Sequence, residues 1–266
     1  MAALASGVRA VELFHFDVTT DPHMGTTNRV VAISAEKAHF NPAYRDITLR
    51  RILNRPEGPG AFMVVCGDLD DFDTIRDAIA DTLGGPQGAK GCDYPFYPVV
   101  GNHDIFTTGT LSADLDGWRT RQLVDDNRKN LKHIVNWGPD VPSRLPGYGD
   151  DGIRHTTYSF DYENCHFVVL DQYGKNDYKT PDGKFPARGN AHLFKPIQEW
   201  LAKDLAQTRQ EHIFVFGHQG MTGRLALAED SGAGTFWNLL AEYPVRAYFY
   251  GHEHAYSINN TEQPYA

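Results

Sequence analysis

The chain has few cysteines and no long apolar run. Its three cysteines, Cys66, Cys92 and Cys165, form neither a paired framework nor a CxxC spacing, so we expect buried thiols rather than a disulfide scaffold. No stretch approaches the roughly 20 consecutive apolar residues that a membrane-spanning helix needs. The sequence therefore predicts no membrane span.

Basic residues are also in the minority. Asp and Glu number 34 against 25 Lys and Arg, which gives a formal net charge of -9. Because nucleic-acid affinity depends largely on Lys and Arg that neutralise phosphates, no nucleic acid polymer is expected as a partner. Residues 1–10 carry one basic residue and no clear signal core, which leaves the location open between the cytoplasm and export with the signal removed. Nothing in the composition indicates an oligomeric state.

Apolar runs alternate with segments of helical spacing, which predicts an α/β core. The predicted strands cover 11–18, 61–66, 96–100, 156–162, 165–170, 213–216 and 245–250. The predicted helices cover 41–54, 72–83, 197–205 and 236–243. Between them we predict an irregular insertion over 105–155 and a long loop over 172–192. Since such long loops are often functional lids, we expect one domain over 1–266 with both segments at the mouth of a site.

Side chains suited to metal ligation recur where predicted strands end. The blocks are Asp21-Pro22-His23, Gly67-Asp68, Gly101-Asn102-His103-Asp104, Gly217-His218 and Gly251-His252-Glu253-His254. Carboxylate oxygen and imidazole nitrogen are the usual ligands of zinc, manganese and iron, and an Asn carbonyl can fill a remaining position. Two such ions that share one carboxylate can clamp a phosphoryl group and convert a water into hydroxide. The pattern therefore predicts a two-metal hydrolytic site.

These ordered blocks, which span residues 21 to 254, resemble those of the calcineurin-like metallophosphoesterases. The resemblance implies an α/β fold, a four-layer α/β/β/α sandwich of two mixed sheets flanked by helices, with the metal site at the C-terminal ends of the strands. It implies two divalent or mixed-valence transition-metal ions, Mn, Fe or Zn. One ion would be held by Asp21, His23 and His254, the other by Asn102, His218 and His252, and Asp68 would bridge them.

The same resemblance assigns roles beyond ligation. His103 would act as general acid or as a positive charge on the phosphoryl oxygens, and Asp104 would orient its imidazole. A hydroxide shared by the two cations would hydrolyse small phosphomonoesters or phosphodiesters, cyclic nucleotides included, so a small phosphoester is the expected substrate. The purple acid phosphatases of this family carry a tyrosinate where this chain has Asp71, so no charge-transfer colour is expected.

Other functions stay open. A nuclease or a phospholipid-directed phosphodiesterase is disfavoured by the acidic balance and by the lack of an amphipathic basic helix. A metal-binding scaffold without turnover is disfavoured because no ligand position and no catalytic His is missing.

Surface exposure or a satisfied core position is expected for the remaining histidines, which are His15, His39, His133, His155, His166, His192 and His212. Four arginines of the two long loops are candidates for holding a second anionic group of the substrate, namely Arg119, Arg121, Arg144 and Arg188.

Overall fold

The computed structural model describes residues 14–23, 44–69, 72–84, 94–105, 118–141, 150, 152–173, 191–221 and 232–254. Its strands form two sheets. The first contains β1 (Asp17–Thr19), β2 (Met63–Val65) and β3 (Phe96–Pro98), in that order and all parallel. The second contains, in spatial order, β4 (Ile134–Trp137), β5 (Tyr158–Tyr162), β6 (Cys165–Val169), β7 (His212–Phe216) and β8 (Val245–Phe249).

The second sheet changes direction in its middle. Strands β4, β5 and β6 pair antiparallel, whereas β6, β7 and β8 pair parallel. The carboxyl ends of β6, β7 and β8 therefore lie at the same edge of this sheet.

Six α-helices accompany the sheets in the described part of the chain. They are α1 (Arg50–Leu53), α2 (Phe72–Leu83), α3 (Asn102–Ile105), α4 (Trp118–Asn130), α5 (Lys195–Gln207) and α6 (Ala233–Ala241). A π-helical turn, Tyr44–Leu49, leads into α1, and a 3-10 turn, Gly152–His155, precedes β5. In α2 the apolar residues that recur at helical spacing, Phe72, Ile75 and Ile79, are all buried, as expected for one packed face of a helix.

Burial along β2 shows the layer order. Val64 points into an aromatic core between the sheets, where Tyr97 of β3 stacks on Phe160 of β5 with ring centroids 3.7 Å apart. Its neighbours Met63 and Val65 point the other way, into the cluster that contains the buried face of α2. Because successive strand residues face opposite sides of a sheet, β2 is covered on both faces, by the aromatic core on one and by the cluster of α2 on the other. Helices therefore flank two packed sheets, and the predicted α/β sandwich is confirmed.

One expectation needs correction. The irregular insertion predicted over 105–155 is wrong for its described part, which contains α4 and β4. Helix α4 buries a narrow stripe that includes Leu123 and Val124, and the rest of the helix is mostly polar, so its apolar periodicity is weak. The second sheet is mixed, as expected, and the described strands of the first are parallel. The loop 172–192 lies outside the described residues except at its two ends, and the single-domain division stays a prediction.

The structure describes two of the three cysteines. Cys66 and Cys165 are buried free thiols, and Cys92 lies outside the described residues. Among the helices that the structure describes, none combines the length and the apolar composition needed to cross a bilayer.

Candidate metal centre

Five loops that follow the carboxyl ends of β1, β2, β3, β7 and β8 meet at one place. Backbone hydrogen bonds tie them together: the amide of Asp21 donates to the carbonyl of Gly67 at 3.2 Å, and the amide of His23 donates to that of Asp68 at 3.0 Å. On the other side, the amide of Gly251 donates to the carbonyl of His218 at 2.8 Å. The predicted blocks are thus joined through their backbones as well as their side chains.

The backbone of these loops is bent in an uncommon way. Five predicted ligands have positive φ angles, namely Asp21 (49°), His23 (47°), Asp68 (54°), His252 (72°) and His254 (50°). Residues other than glycine rarely adopt this conformation, which costs of order 1 kcal/mol or more for each residue and clusters at functional sites. The bends turn these side chains towards a common point, and the hydrogen bonds between loops help to hold them.

Two motif glycines make room for the ligands of other loops. A Cβ at Gly101 would collide with the amide and the carboxylate of Asp68. A Cβ at Gly251 would collide with the hydroxyl of Thr20 and the carboxylate of Asp21. Glycine occurs at these two positions because the backbone of one loop lies directly against a ligand of another.

The first group of converging side chains contains Asp21, His23, Asp68 and His254. One ligand atom from each lies within 4.8 Å of the others. The Nε2 atoms of His23 and His254 are 3.2 Å apart, His254 Nε2 is 3.4 Å from Asp21 Oδ1, and His23 Nε2 is 3.8 Å from Asp68 Oδ2. Two nitrogens and two carboxylates at these separations form a donor set of the kind that zinc, manganese and iron accept.

The second group contains Asp68, His218 and His252, again with ligand atoms within 4.8 Å of one another. His218 Nε2 lies 3.3 Å from Asp68 Oδ1 and 3.3 Å from His252 Nδ1. The Oδ1 atom of Asn102 is 3.0 Å from both imidazoles. On the far side of its ring, His218 Nδ1 donates to the carbonyl of Cys66 at 2.7 Å, which leaves Nε2 to face the centre. Asp68 thus faces one group with each of its oxygens.

The two groups are electrostatically coupled through Asp68. Burial alone would raise the pKa of Asp68, but the hydrogen bond and charge of His218, together with the charge of His103, lower it to about 2. Burial alone would lower the pKa of His218, whereas the Asp68 carboxylate raises it to about 9. For His252, burial and the charge of His218 lower the pKa. The site therefore favours positive charge at the Asp68–His218 contact, and a bound cation would replace the His218 proton because a ligating imidazole is neutral.

The predicted catalytic pair lies on α3, next to this centre. The His103 side chain is 29% exposed, its Nε2 is 4.0 Å from Asp68 Oδ2, and its ring centroid is 4.8 Å from that of His23. The carboxylate of Asp104 accepts hydrogen bonds from the backbone amides of Gly101 at 2.8 Å and Asp68 at 3.1 Å. Asp104 thus joins two ligand loops, a role that sequence reasoning missed. Its predicted effect on the His103 imidazole stays a prediction.

Exposure differs across the centre. Asp68 and His218 are buried, whereas the side chain of His254 is 48% exposed. Together with the partly exposed His103, this places the open side of the centre at the His103 and His254 rings. A ligand would reach the donor groups from there.

Two further polar residues support the ligands and were not predicted. The hydroxyl of Thr20 donates to the adjacent Asp21 carboxylate and lies 3.2 Å from the carbonyl oxygen of Cys66. The buried side chain of Gln172 contacts the loop that carries His218. Both residues lie just after predicted strands, as the ligand blocks do. That position is the sequence signal that could have identified them.

Other sequence candidates lie away from the centre or outside the described residues. Asp71, Arg144, Arg188 and His39 fall outside the described residues, as does the Arg119 side chain. Arg121 is exposed on α4. His166 was expected at the surface or as a satisfied core residue, and it is a buried histidine whose two ring nitrogens each contact a carboxylate.

Comparison with known proteins agrees with this geometry. The family model of the calcineurin-like phosphoesterases matches residues 14–256, an interval that contains every predicted ligand. The chain is also 27% identical over 145 residues to an acid phosphatase from Aspergillus ficuum. That similarity covers 42% of this chain and 23% of the fungal enzyme. With nine-tenths of its length inside the family match and a converging set of metal donors, the chain belongs to the calcineurin-like phosphoesterase family of metal-dependent phosphoric ester hydrolases.

Proposed function

We propose that this chain hydrolyses small phosphomonoesters or phosphodiesters, cyclic nucleotides included, with two transition-metal ions drawn from Mn, Fe and Zn. One observation carries the proposal. The two oxygens of the buried Asp68 face separate donor groups, with Oδ1 3.3 Å from His218 and Oδ2 3.8 Å from His23. A carboxylate in that position can join two cations, whereas a single-ion site would need only one of the groups.

The residues present fit such a pair of ions. Asp21, His23 and His254 would hold the ion on the open side, and Asn102, His218 and His252 would hold the ion on the buried side. The Nε2 atoms of His23 and His254 face each other at 3.2 Å, a distance at which two unprotonated nitrogens repel unless a proton or a cation lies with them. All donors are nitrogen or oxygen, which suits Mn, Fe and Zn and leaves the choice among them to cellular supply.

The protein supplies orientation and charge around the reacting phosphoester. When bound, the ions would neutralise the phosphoryl oxygens and lower the pKa of water so that a nucleophile forms at neutral pH. Asn102 would orient an equatorial oxygen of the substrate with its amide N–H, because its Oδ1 faces the two imidazoles. His103, at the open side, would deliver a proton to the leaving alcohol or place positive charge beside the phosphoryl group.

A small substrate is favoured over a polymer or a lipid surface. The net charge of -9 opposes association with polyanions and with anionic membranes. The fungal relative carries the name acid phosphatase, which supports activity on phosphomonoesters. A metal-binding scaffold without turnover is disfavoured because every ligand type and the general-acid candidate are present at the centre.

Metal removal and a substrate panel test the proposal. Chelated protein should be inactive, should recover with Mn, Zn or Fe, and should bind two ions per chain by elemental analysis. His254→Ala should lower that number towards one, whereas His212→Ala, a change on β7 outside the centre, should leave it at two. The panel should contain p-nitrophenyl phosphate, bis-(p-nitrophenyl) phosphate, cyclic AMP, a glycerophosphodiester and single-stranded DNA. Equal rates for chelated and metal-loaded protein, or faster hydrolysis of DNA than of every small ester, would contradict it.

A further inference from the structure

A buried glutamine supports the His218 loop from behind. Gln172 is 1% exposed and follows β6, whose parallel neighbour β7 leads into His218. Its Oε1 accepts hydrogen bonds from the backbone amides of His218 and Gln219, both at 2.8 Å. One side-chain oxygen therefore fixes two consecutive peptide groups, the first of which belongs to a predicted metal ligand.

The other end of the same amide is also engaged. Gln172 Nε2 donates to the carbonyl of Gln219 at 3.0 Å and to the hydroxyl of Tyr248 at 3.2 Å, and that hydroxyl donates to the same carbonyl at 2.8 Å. An amide offers two donors and two acceptor positions, and all four are used here. Fully satisfied buried networks of this kind restrict the groups that they contact to one arrangement.

The surroundings hold Gln172 itself in place. The preceding residue, Asp171, accepts hydrogen bonds from the Thr156 hydroxyl at 2.6 Å and from the amide of Tyr173 at 2.7 Å, so the backbone is fixed on both sides of Gln172. Gly217 provides the space, because a Cβ there would lie 2.8 Å from Gln172 Oε1 and would collide with the Tyr248 hydroxyl. Glycine at position 217 is therefore needed for the packing of the Gln172 side chain as well as for the turn.

We infer that Gln172 is a positioning residue for the buried metal ion: it sets the backbone from which His218 presents Nε2, while His218 Nδ1 is held by the carbonyl of Cys66. This inference rests on the ligand role proposed for His218. Gln172 itself need not touch substrate or metal. Residues that orient ligands in this way typically change metal affinity about 10- to 100-fold when they are removed.

The matched variants separate positioning from general stability. Gln172→Met keeps the volume but removes all four hydrogen bonds, whereas Gln172→Glu loses the two donated bonds and keeps an acceptor oxygen in place. Asn127→Leu is the control, since it removes a buried amide that donates to the carbonyl of His155 at 2.8 Å and is outside the proposed centre. Calorimetric titration of metal-free protein with Zn²⁺ or Mn²⁺ should show one ion bound about 10- to 100-fold more weakly in Gln172→Met only. The Glu variant should bind both ions more nearly as the wild type does.

Two further readouts accompany the titration, and the first does not involve turnover. In metal-free Gln172→Met, the amides of His218 and Gln219 should exchange hydrogen about fivefold faster or more, the factor expected for one lost hydrogen bond. Its kcat should fall at limiting metal and recover with excess metal, with KM unchanged.

If both ions bind with wild-type affinity while Tm falls as in Asn127→Leu, the inference is wrong. If the wild type binds only one ion, the two-metal proposal fails instead. Should Gln172→Met not fold, Gln172→Asn replaces it, because a side chain one methylene shorter withdraws the acceptor oxygen from the two amides, and unchanged affinity for both ions in that variant counts against the inference.

Discussion

The carboxylate of Asp104 accepts a hydrogen bond from the backbone amide of Asp68 at 3.1 Å, and so joins α3 to the loop of the central ligand. Since the same oxygen also accepts from the amide of Gly101, it holds Asp68 where the backbone has a positive φ angle. Asp104→Leu should weaken metal binding about 10- to 100-fold, the usual effect of removing a group that orients ligands. Asp104→Asn keeps an acceptor oxygen and should lose much less affinity, as measured by metal titration.

The same pair of variants tests the role that the family resemblance gives to Asp104. If its charge acts mainly on the His103 imidazole, Asp104→Asn should bind metal normally but change kcat and its pH profile. A variant with normal metal affinity and a normal pH profile would limit Asp104 to the backbone role described above.

His103→Ala separates the two chemical roles proposed for this histidine. Its side chain belongs to neither donor group, so both ions should stay bound. Loss of a general acid lowers kcat by about 10² to 10⁴, and the loss should be larger for an alkyl phosphate than for p-nitrophenyl phosphate, whose leaving group needs little protonation. Equal losses for the two substrates would instead indicate that His103 stabilises charge on the phosphoryl oxygens. Unchanged kcat for both would exclude either role.

The ligand blocks were predictable because each is local. In each block a ligand type follows an apolar run, and in four of the five a glycine precedes it. Because the carboxyl ends of neighbouring parallel strands meet at one edge, His218 and His252 could be placed together without a structure. Helix α4 was missed because its buried stripe is narrow and charged residues dominate its sequence. The role of Gln172 was not predictable either. It depends on the pairing of β6 with β7, which joins residues 46 positions apart along the chain.

Glycine at position 251 should be essential for the open-side ion. A Cβ there would collide with Thr20 and with the carboxylate of Asp21, so Gly251→Ala should displace that carboxylate. We expect loss of one bound ion and a fall in kcat, measured by elemental analysis and steady-state kinetics. Gly234→Ala is the matched control, because a Cβ at that position in α6 meets nothing within 4 Å. It should leave metal content unchanged and stabilise the helix by about 0.5 to 1 kcal/mol. Two ions and full activity in Gly251→Ala would contradict the described packing of these loops.

His166 should make the stability of the protein depend on pH. It is 1% exposed, with Nδ1 2.6 Å from Asp161 and Nε2 2.9 Å from Asp204, so both ring nitrogens face carboxylates. Burial alone would lower the pKa of His166, but the hydrogen bonds and charges of Asp204 and Asp161 outweigh it and raise the pKa above the ordinary value of 6.5. A raised pKa stabilises the folded state fully below the unfolded pKa, and this contribution is lost as pH rises through the folded pKa. His166→Gln should therefore lower the free energy of unfolding most near pH 6, by about 3 kcal/mol because a buried ion pair is broken, and less as pH increases.

Urea unfolding of the chelated proteins from pH 6 to pH 9 measures this difference without a contribution from bound metal. Ser159→Ala provides the matched control, because the Ser159 hydroxyl donates to the same Asp204 carboxylate at 2.8 Å and carries no charge. Its loss should lower the free energy of unfolding by about 1.5 to 3 kcal/mol, the range for a hydrogen bond to a charged group, with the pH dependence of the wild type retained. The wild type and Ser159→Ala should thus lose stability in parallel as pH rises, while His166→Gln loses less. A difference between wild type and His166→Gln that stays constant over this range would mean that the His166 proton is not coupled to folding.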